Sequence, residues 1–77
     1  MTTDTRYADT RYAVVTFGTS PRRTVFRDQK AAIRVAAAAL GRGSCTCARV
    51  YECDTPALAR SADISEVRSG ERVVFHA

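Results

Sequence analysis

The sequence has no tryptophan, one lysine, one histidine and two prolines among its 77 residues, and it has no long apolar run. A transmembrane helix needs about 18 consecutive apolar residues, so we predict no membrane span. The first seven residues also lack the apolar core of a signal peptide. We therefore expect a cytoplasmic protein whose cysteines are reduced thiols.

Groups of residues that support catalysis or hold a metal are missing as well. The single histidine, His76, has no serine or cysteine nucleophile near it in sequence, and the carboxylates are scattered, so no general acid–base pair stands out. Zinc bound by Cys45, Cys47, Cys53 and His76 is the alternative. In one continuous strand Cys45 and Cys53 would lie roughly 26 Å apart, too far for one ion. We predict no catalytic residue, no metal site, no cofactor and no enzyme activity.

The composition is that of a small globular domain. Hydrophobic residues make up 45% of the chain and charged residues 26%, close to the globular average. The pentapeptide Asp-Thr-Arg-Tyr-Ala occurs twice in tandem, at residues 4–8 and 9–13, and only the second copy runs into an apolar stretch. We therefore predict a flexible tail over residues 1–10 and a single domain over residues 11–77.

Local patterns predict an α+β fold. Asp28 is a good helix N-cap, residues 29–40 contain helix formers without glycine or proline, and Gly41 is placed to end the helix. Asp54-Thr55-Pro56 predicts the start of one further helical turn, to about Arg60. Runs rich in β-branched and aromatic residues predict strands at residues 12–17, 24–26, 46–53, 64–67 and 72–76.

The simplest arrangement of these elements is an antiparallel-rich sheet with one main helix on one face, in the order β-β-α-β-(short helix)-β-β. Helical periodicity predicts that an apolar stripe of the main helix covers the sheet. The residues of this predicted stripe are Ile33, Ala36, Ala37 and Leu40.

The strands are apolar on both faces, and one helix can cover only one of them. We assign the bulkier set, Val15, Phe17, Val73 and Phe75, to the helix-covered face. An apolar far face would be exposed in a monomer, so we predict a two-fold homodimer that buries it. The alternatives are that residues 57–65 fold over this face or that a host protein covers it. The predicted dimer interface consists of Tyr12, Val14 and Val74.

A basic cluster is the one candidate contact surface. Five of the cations fall within thirteen residues of a chain whose net charge is +4. Such a patch suits nucleic-acid phosphates or an acidic protein surface, although a solvated helix face is the plain alternative. No aromatic residue within the cluster offers a stacking platform for bases. The predicted binding residues are Arg22, Arg23, Arg27, Lys30 and Arg34.

Arginine and alanine dominate the composition, as in proteins from GC-rich genomes. In this composition, in its short length and in the strand-helix-strand plan around residues 31–40, the chain resembles the small orphan proteins of bacteriophages of GC-rich hosts. Some of these, including certain anti-CRISPR inhibitors, block a host complex. The resemblance assigns no role to any residue, and it implies a non-enzymatic interaction protein. A non-specific nucleic-acid-binding protein is the alternative.

Overall fold

A computed structural model describes residues 9–18 and 21–77, so most of the predicted tail lies outside the described residues. Four strands form one antiparallel sheet in the order β2-β1-β3-β4, which confirms the predicted α+β fold. In the described residues, neither helix is long and apolar enough to cross a membrane. The elements are β1 (Arg11–Phe17), β2 (Arg22–Phe26), α1 (Gln29–Gly41), β3 (Cys47–Cys53), α2 (Pro56–Arg60) and β4 (Glu71–His76).

The main helix begins where its sequence predicts and ends one residue later than predicted, because Gly41 is still helical. The Ala31 N–H donates to the Asp28 carboxylate over 3.0 Å, which satisfies one of the unpaired donors at the helix N-terminus. Gly43 has φ 74°, a left-handed conformation that suits glycine, and the chain turns there. The Ser44 N–H then donates to the Ala39 carbonyl over 3.0 Å, so α1 ends with its carbonyls paired.

Helix α1 packs on the sheet through alanines. Ala32, Ala36 and Ala39 are its buried residues, and Ile33 and Leu40 pack beside them. The inclusion of Ala37 in the apolar stripe was wrong, because Ala37 is exposed. It lies about 100° around the helix from Ala36. Alanine side chains let the helix axis approach the sheet closely.

The second face of the sheet is covered by the chain itself. Helix α2 and the loop that follows it pack there through Leu58, Ala59, Ala62 and Ile64. This confirms the alternative in which residues 57–65 fold over that face. The sheet residues buried beneath this cover are Ala13, Val15, Tyr51 and Cys53.

The predicted assignment of the helix-covered face was correct for Phe75 and wrong for Val15, Phe17 and Val73. Val14 lies beneath α1 and Val15 faces α2, while Phe17 and Val73 are exposed. In β3, Tyr51 is buried on the α2 side, where its hydroxyl contacts the Asp63 and Glu66 carbonyls. Its pairing with Ala13 directs Val14 and Val50 toward α1. An irregularity in the β3–β4 pairing brings both Val74 and Phe75 against the α1 side.

The predicted strand over residues 64–67 is absent, and these residues belong to a loop between α2 and β4. Its carbonyls are engaged by side chains of β3. The Tyr51 hydroxyl lies 2.6 Å from the Asp63 carbonyl and 2.8 Å from the Glu66 carbonyl, and Arg49 Nη1 donates to the Ile64 carbonyl over 2.9 Å. Backbone groups bound in this way are not available for a strand ladder.

Candidate functional site

The cysteines do not converge on one site. Cys45 precedes β3 and packs beneath α1, whereas Cys53 ends β3 in the opposite core, and all three thiols are free. Across residues 9–18 and 21–77, no three His, Cys, Asp or Glu side chains form a group that could hold a metal ion. The candidate site within the described residues is therefore the predicted basic cluster and not a metal centre.

The thiols should differ in reactivity. Burial, together with the nearby Glu71 carboxylate, raises the pKa of Cys53 to about 11, so its reactive thiolate is scarce at neutral pH. Cys47 is partly exposed. With Ellman's reagent at pH 8 we expect Cys47 to react first and Cys53 only after unfolding. Cys47→Ser should abolish the fast phase and Cys53→Ser should leave it unchanged; the reverse would contradict the placement of these thiols.

The charges are segregated along the chain. Residues 21–44 contain six cations and one carboxylate, that of Asp28, whereas residues 45–77 contain four cations and five carboxylates. The first segment forms β2 and α1, so the imbalance of charge becomes a property of one side of the fold. A surface with such an imbalance attracts anionic partners.

The cations of the second segment are largely paired within the protein. Arg68 contacts the buried Glu71 over 2.6 Å, and Arg72 binds Glu52 over 2.7 Å and Asp54 over 2.8 Å. Arg49 donates to the Tyr51 hydroxyl. These side chains hold the β4 edge and the preceding loop in place, so their role is structural.

The cations of the first segment are mostly unpaired. Arg27, Lys30 and Arg34 are exposed on or beside α1. Neither these three nor Arg22 and Arg42 forms an ion pair or a side-chain hydrogen bond with another described residue. Their charge is therefore available to a partner.

The predicted five-residue patch does not form one continuous surface. Adjacent residues of a strand point to opposite faces, so Arg22 lies on the α1 side and Arg23 on the α2 side. Arg23 Nε donates to the Ala62 carbonyl over 2.7 Å, which fixes it against the second cover. The structure thus keeps Arg22, Lys30 and Arg34 on the α1 side, leaves Arg27 exposed in the bend between β2 and α1, and separates Arg23 from the others.

Sequence reasoning missed Arg42, which lies beside Arg22. Helix α1 returns along β2, and the two elements have similar lengths of roughly 20 Å and 17 Å at ~1.5 and ~3.4 Å per residue. The residue after the helix therefore comes back to the start of the strand. A comparison of these two lengths was the available signal for this proximity.

A groove of about 350 Å³ lies between α1 and β2, and we call it the α1-side groove. Its floor is apolar, and its rim carries two unpaired guanidinium groups and several hydroxyls. Arginine offers only donors, in a planar array that matches a carboxylate or a phosphate. The groove therefore suits an anionic group. It is lined by Val14, Thr16, Arg22, Thr24, Val35, Ala39, Arg42, Ser44 and Cys45.

A second groove, of about 400 Å³, lies on the opposite face beside β2, and we call it the α2-side groove. Phe17, Pro21 and Ile64 make it more apolar. Its guanidinium from Arg23 is held by a carbonyl, and Asp63 adds a carboxylate. Arg22 lines both grooves, so each carries two arginines, and the α2-side groove is the less positive of the two because it alone contains a carboxylate.

The predicted dimer residues do not form an open face. Val14 is 2% exposed and lies in the core beneath α1, with Tyr12 and Val74 packed around it. The Tyr12 hydroxyl donates to Glu52 over 3.0 Å. The uncovered apolar face that favoured a homodimer is therefore absent at these residues, and self-association itself stays a prediction.

Comparison with known proteins identifies no relative. No protein-family model matches the chain, and neither a curated protein nor a solved structure matches it.

Proposed function

We propose that this chain is a non-enzymatic interaction protein that binds an acidic surface of a partner protein through the α1 side of the fold. One observation supports this most directly: Arg22, Arg27, Lys30, Arg34 and Arg42 are exposed and unpaired within the described residues. Blocking a host complex, as the resemblance to phage proteins implies, is one form that this function takes.

The energetics favour an external partner for these cations. An exposed arginine that is already paired gains little from a new carboxylate, whereas an unpaired arginine forms the new ion pair without breaking another. Complementary charge also accelerates association and excludes partners of the wrong sign. Because the paired cations lie in the other half of the chain, binding to the α1 side leaves the structural ion pairs intact.

A non-specific nucleic-acid-binding protein is the second candidate. The exposed side of α1 carries Lys30 and Arg34 one helical turn apart, and exposed cations spaced in this way contact a phosphate backbone. The α1-side groove is lined by no aromatic residue on which a base would stack. Such binding would depend on the charge of the phosphates and not on the sequence of the bases.

The test compares two probes over a salt series: labelled poly-L-glutamate and a generic 20-base-pair duplex. We expect Arg27→Ala/Arg34→Ala to weaken poly-L-glutamate binding about fivefold, since exposed ion pairs contribute ~0.5 kcal/mol each. Thermal stability should be unchanged. Arg34→Ala and Arg60→Ala alone remove the same charge from opposite sides of the fold, so they serve as a matched pair.

The outcomes separate the two candidates. A larger loss of affinity for poly-L-glutamate in Arg34→Ala than in Arg60→Ala supports binding by the α1 side. Equal losses of affinity would mean that binding depends only on the net charge. Unchanged affinity in the double variant would indicate a solvated helix face. Preferential binding of the duplex, with an affinity that falls steeply with salt, would favour the nucleic-acid candidate.

A further inference from the structure

Strand β2 is an open edge of the sheet. It pairs with β1 on one side, and no other described segment pairs with its outer side. An edge strand presents unpaired N–H and C=O groups that can pair with an added chain. The residues from Arg22 to Val25 are all exposed, so α1 leaves this strand uncovered.

The two edges of the sheet differ in their surroundings. At the β4 edge, the Arg72 guanidinium is occupied by two carboxylates. At the β2 edge, one groove opens on each face, and Arg22 lines both. Successive side chains of an extended chain point to opposite faces. A chain added to β2 would therefore direct alternate side chains toward the two grooves.

We propose that β2 receives an extended acidic segment of the partner protein as a fifth strand of the sheet. One of its carboxylates enters the α1-side groove against Arg22 and Arg42, and an apolar side chain enters the α2-side groove against Phe17 and Ile64. This inference rests on the proposed function and specifies the form of the partner. Strand addition combines backbone hydrogen bonds, which supply affinity, with side-chain pockets, which supply specificity.

The charges of the two grooves determine the order of side chains. In the α1-side groove both guanidinium groups are free of carboxylates in the described part of the chain. The α2-side groove is also lined by Arg22, but there Arg23 binds the Ala62 carbonyl, Asp63 offsets one positive charge, and Phe17 and Ile64 supply apolar surface. A carboxylate is attracted to the first groove and an apolar group to the second, so the segment alternates acidic and apolar residues.

A second copy of this chain is a poorer occupant of the edge. Two of the five residues of β2 are arginines, and Arg42 lines the α1-side groove together with Arg22. In a two-fold antiparallel pairing about Thr24, Arg22 and Arg23 of each copy would lie opposite Phe26 and Val25 of the other, so β2 of a second copy supplies no carboxylate for these arginines. An acidic segment instead neutralises them.

The first experiment uses a fluorescein-labelled heptapeptide of alternating glutamate and valine. One control is a peptide of the same composition with its glutamates grouped. Two further controls are N-methylated at alternate residues, so that each blocks the N–H groups along one edge of the extended peptide. Methylation of the edge that faces β2 removes the N–H donors that would pair with it. Methylation of the opposite edge leaves those donors intact. We expect the alternating peptide to bind more tightly than the grouped one, and one methylated isomer to lose at least about tenfold in affinity.

The second experiment identifies the site. Arg22→Ala and Arg42→Ala should each weaken peptide binding about threefold or more, whereas Arg60→Ala, on the other side, should not. Bound peptide should slow amide hydrogen exchange within Arg22–Phe26 and leave β4 unchanged. Thermal melts of all three variants serve as the folding control.

Several results would overturn strand addition. Charge-dependent binding that is indifferent to both methylated isomers and gives no protection of β2 would overturn it while leaving the proposed function standing. Binding of duplex DNA with no peptide binding would overturn both. A concentration-dependent dimer in light scattering that competes with the peptide would show that a second copy occupies the edge.

Discussion

Ala36→Asp is expected to unfold the domain, whereas Ala37→Asp leaves it folded. Ala36 is fully buried against the sheet, so its replacement places an unpaired carboxylate in the core, at a cost of several kcal/mol. A domain of this size has a total stability of about 4–12 kcal/mol, so the cost is comparable with the whole. Ala37 is exposed and tolerates the same change.

Circular dichroism and thermal melting measure this difference directly. The melting temperature of Ile33→Asp should lie between those of Ala36→Asp and Ala37→Asp, because Ile33 is half-buried beside the same core. The three variants add the same charge to one helix, so their order reports the face that packs on the sheet. If Ala36→Asp melted at the wild-type temperature, or if Ala37→Asp were unfolded, the described packing of α1 would be contradicted.

Glu71→Ala is expected to lower the free energy of unfolding by about 2 kcal/mol. The Glu71 side chain is buried and accepts from the Arg68 side chain over 2.6 Å and from the Arg68 N–H over 2.7 Å. Arg68 also donates to the Leu58 carbonyl over 2.8 Å. Loss of the carboxylate therefore loosens the contact between α2 and the start of β4.

The same group makes stability depend on pH. Burial raises the pKa of Glu71, but hydrogen bonds from Arg68 outweigh this, and the net pKa lies below the ordinary 4.5. Ionised Glu71 therefore stabilises the fold above that ordinary value, and its contribution is lost as pH falls through the lower native pKa. In urea unfolding between pH 6 and 3, Glu71→Ala should show a shallower loss of stability than the wild type.

Glu66→Ala is the control for this prediction. Glu66 is an exposed carboxylate of the same loop, so its removal changes the net charge equally. We expect Glu66→Ala to change the free energy of unfolding by less than about 0.5 kcal/mol. Equal effects of Glu66→Ala and Glu71→Ala would show that net charge, and not the buried pair with Arg68, governs acid stability.

Much of the candidate site was predictable because its cations are close in sequence. Periodicity predicts that Arg27, Lys30 and Arg34 share one helix side. The structure keeps Lys30 and Arg34 exposed on α1 and leaves Arg27 exposed in the bend before the Asp28 cap. The split between Arg22 and Arg23 also follows from strand alternation, once the strand is known to begin at Arg22. Arg42 was missed because its neighbour Arg22 lies twenty residues away in the chain.

Local signals in the sequence were enough to predict both helices and four of the five proposed strands, whereas the strand proposed for residues 64–67 is absent. The Asp28 cap and the alanine-rich run specify α1, and β-branched runs specify the strands around Val14 and Val50. Each of these preferences is satisfied by neighbours in the chain. The fold class follows once such elements are placed in order.

Tertiary structure alone decided which face of each strand packs against which cover. Alternation defines two faces and does not say which of them α1 covers. That choice depends on the fit of Tyr51 to the loop carbonyls of Asp63 and Glu66 and on the space beneath the alanines of α1. These contacts join residues that are distant in sequence. They also leave β2 uncovered between two grooves, of which only the α2-side groove contains a carboxylate.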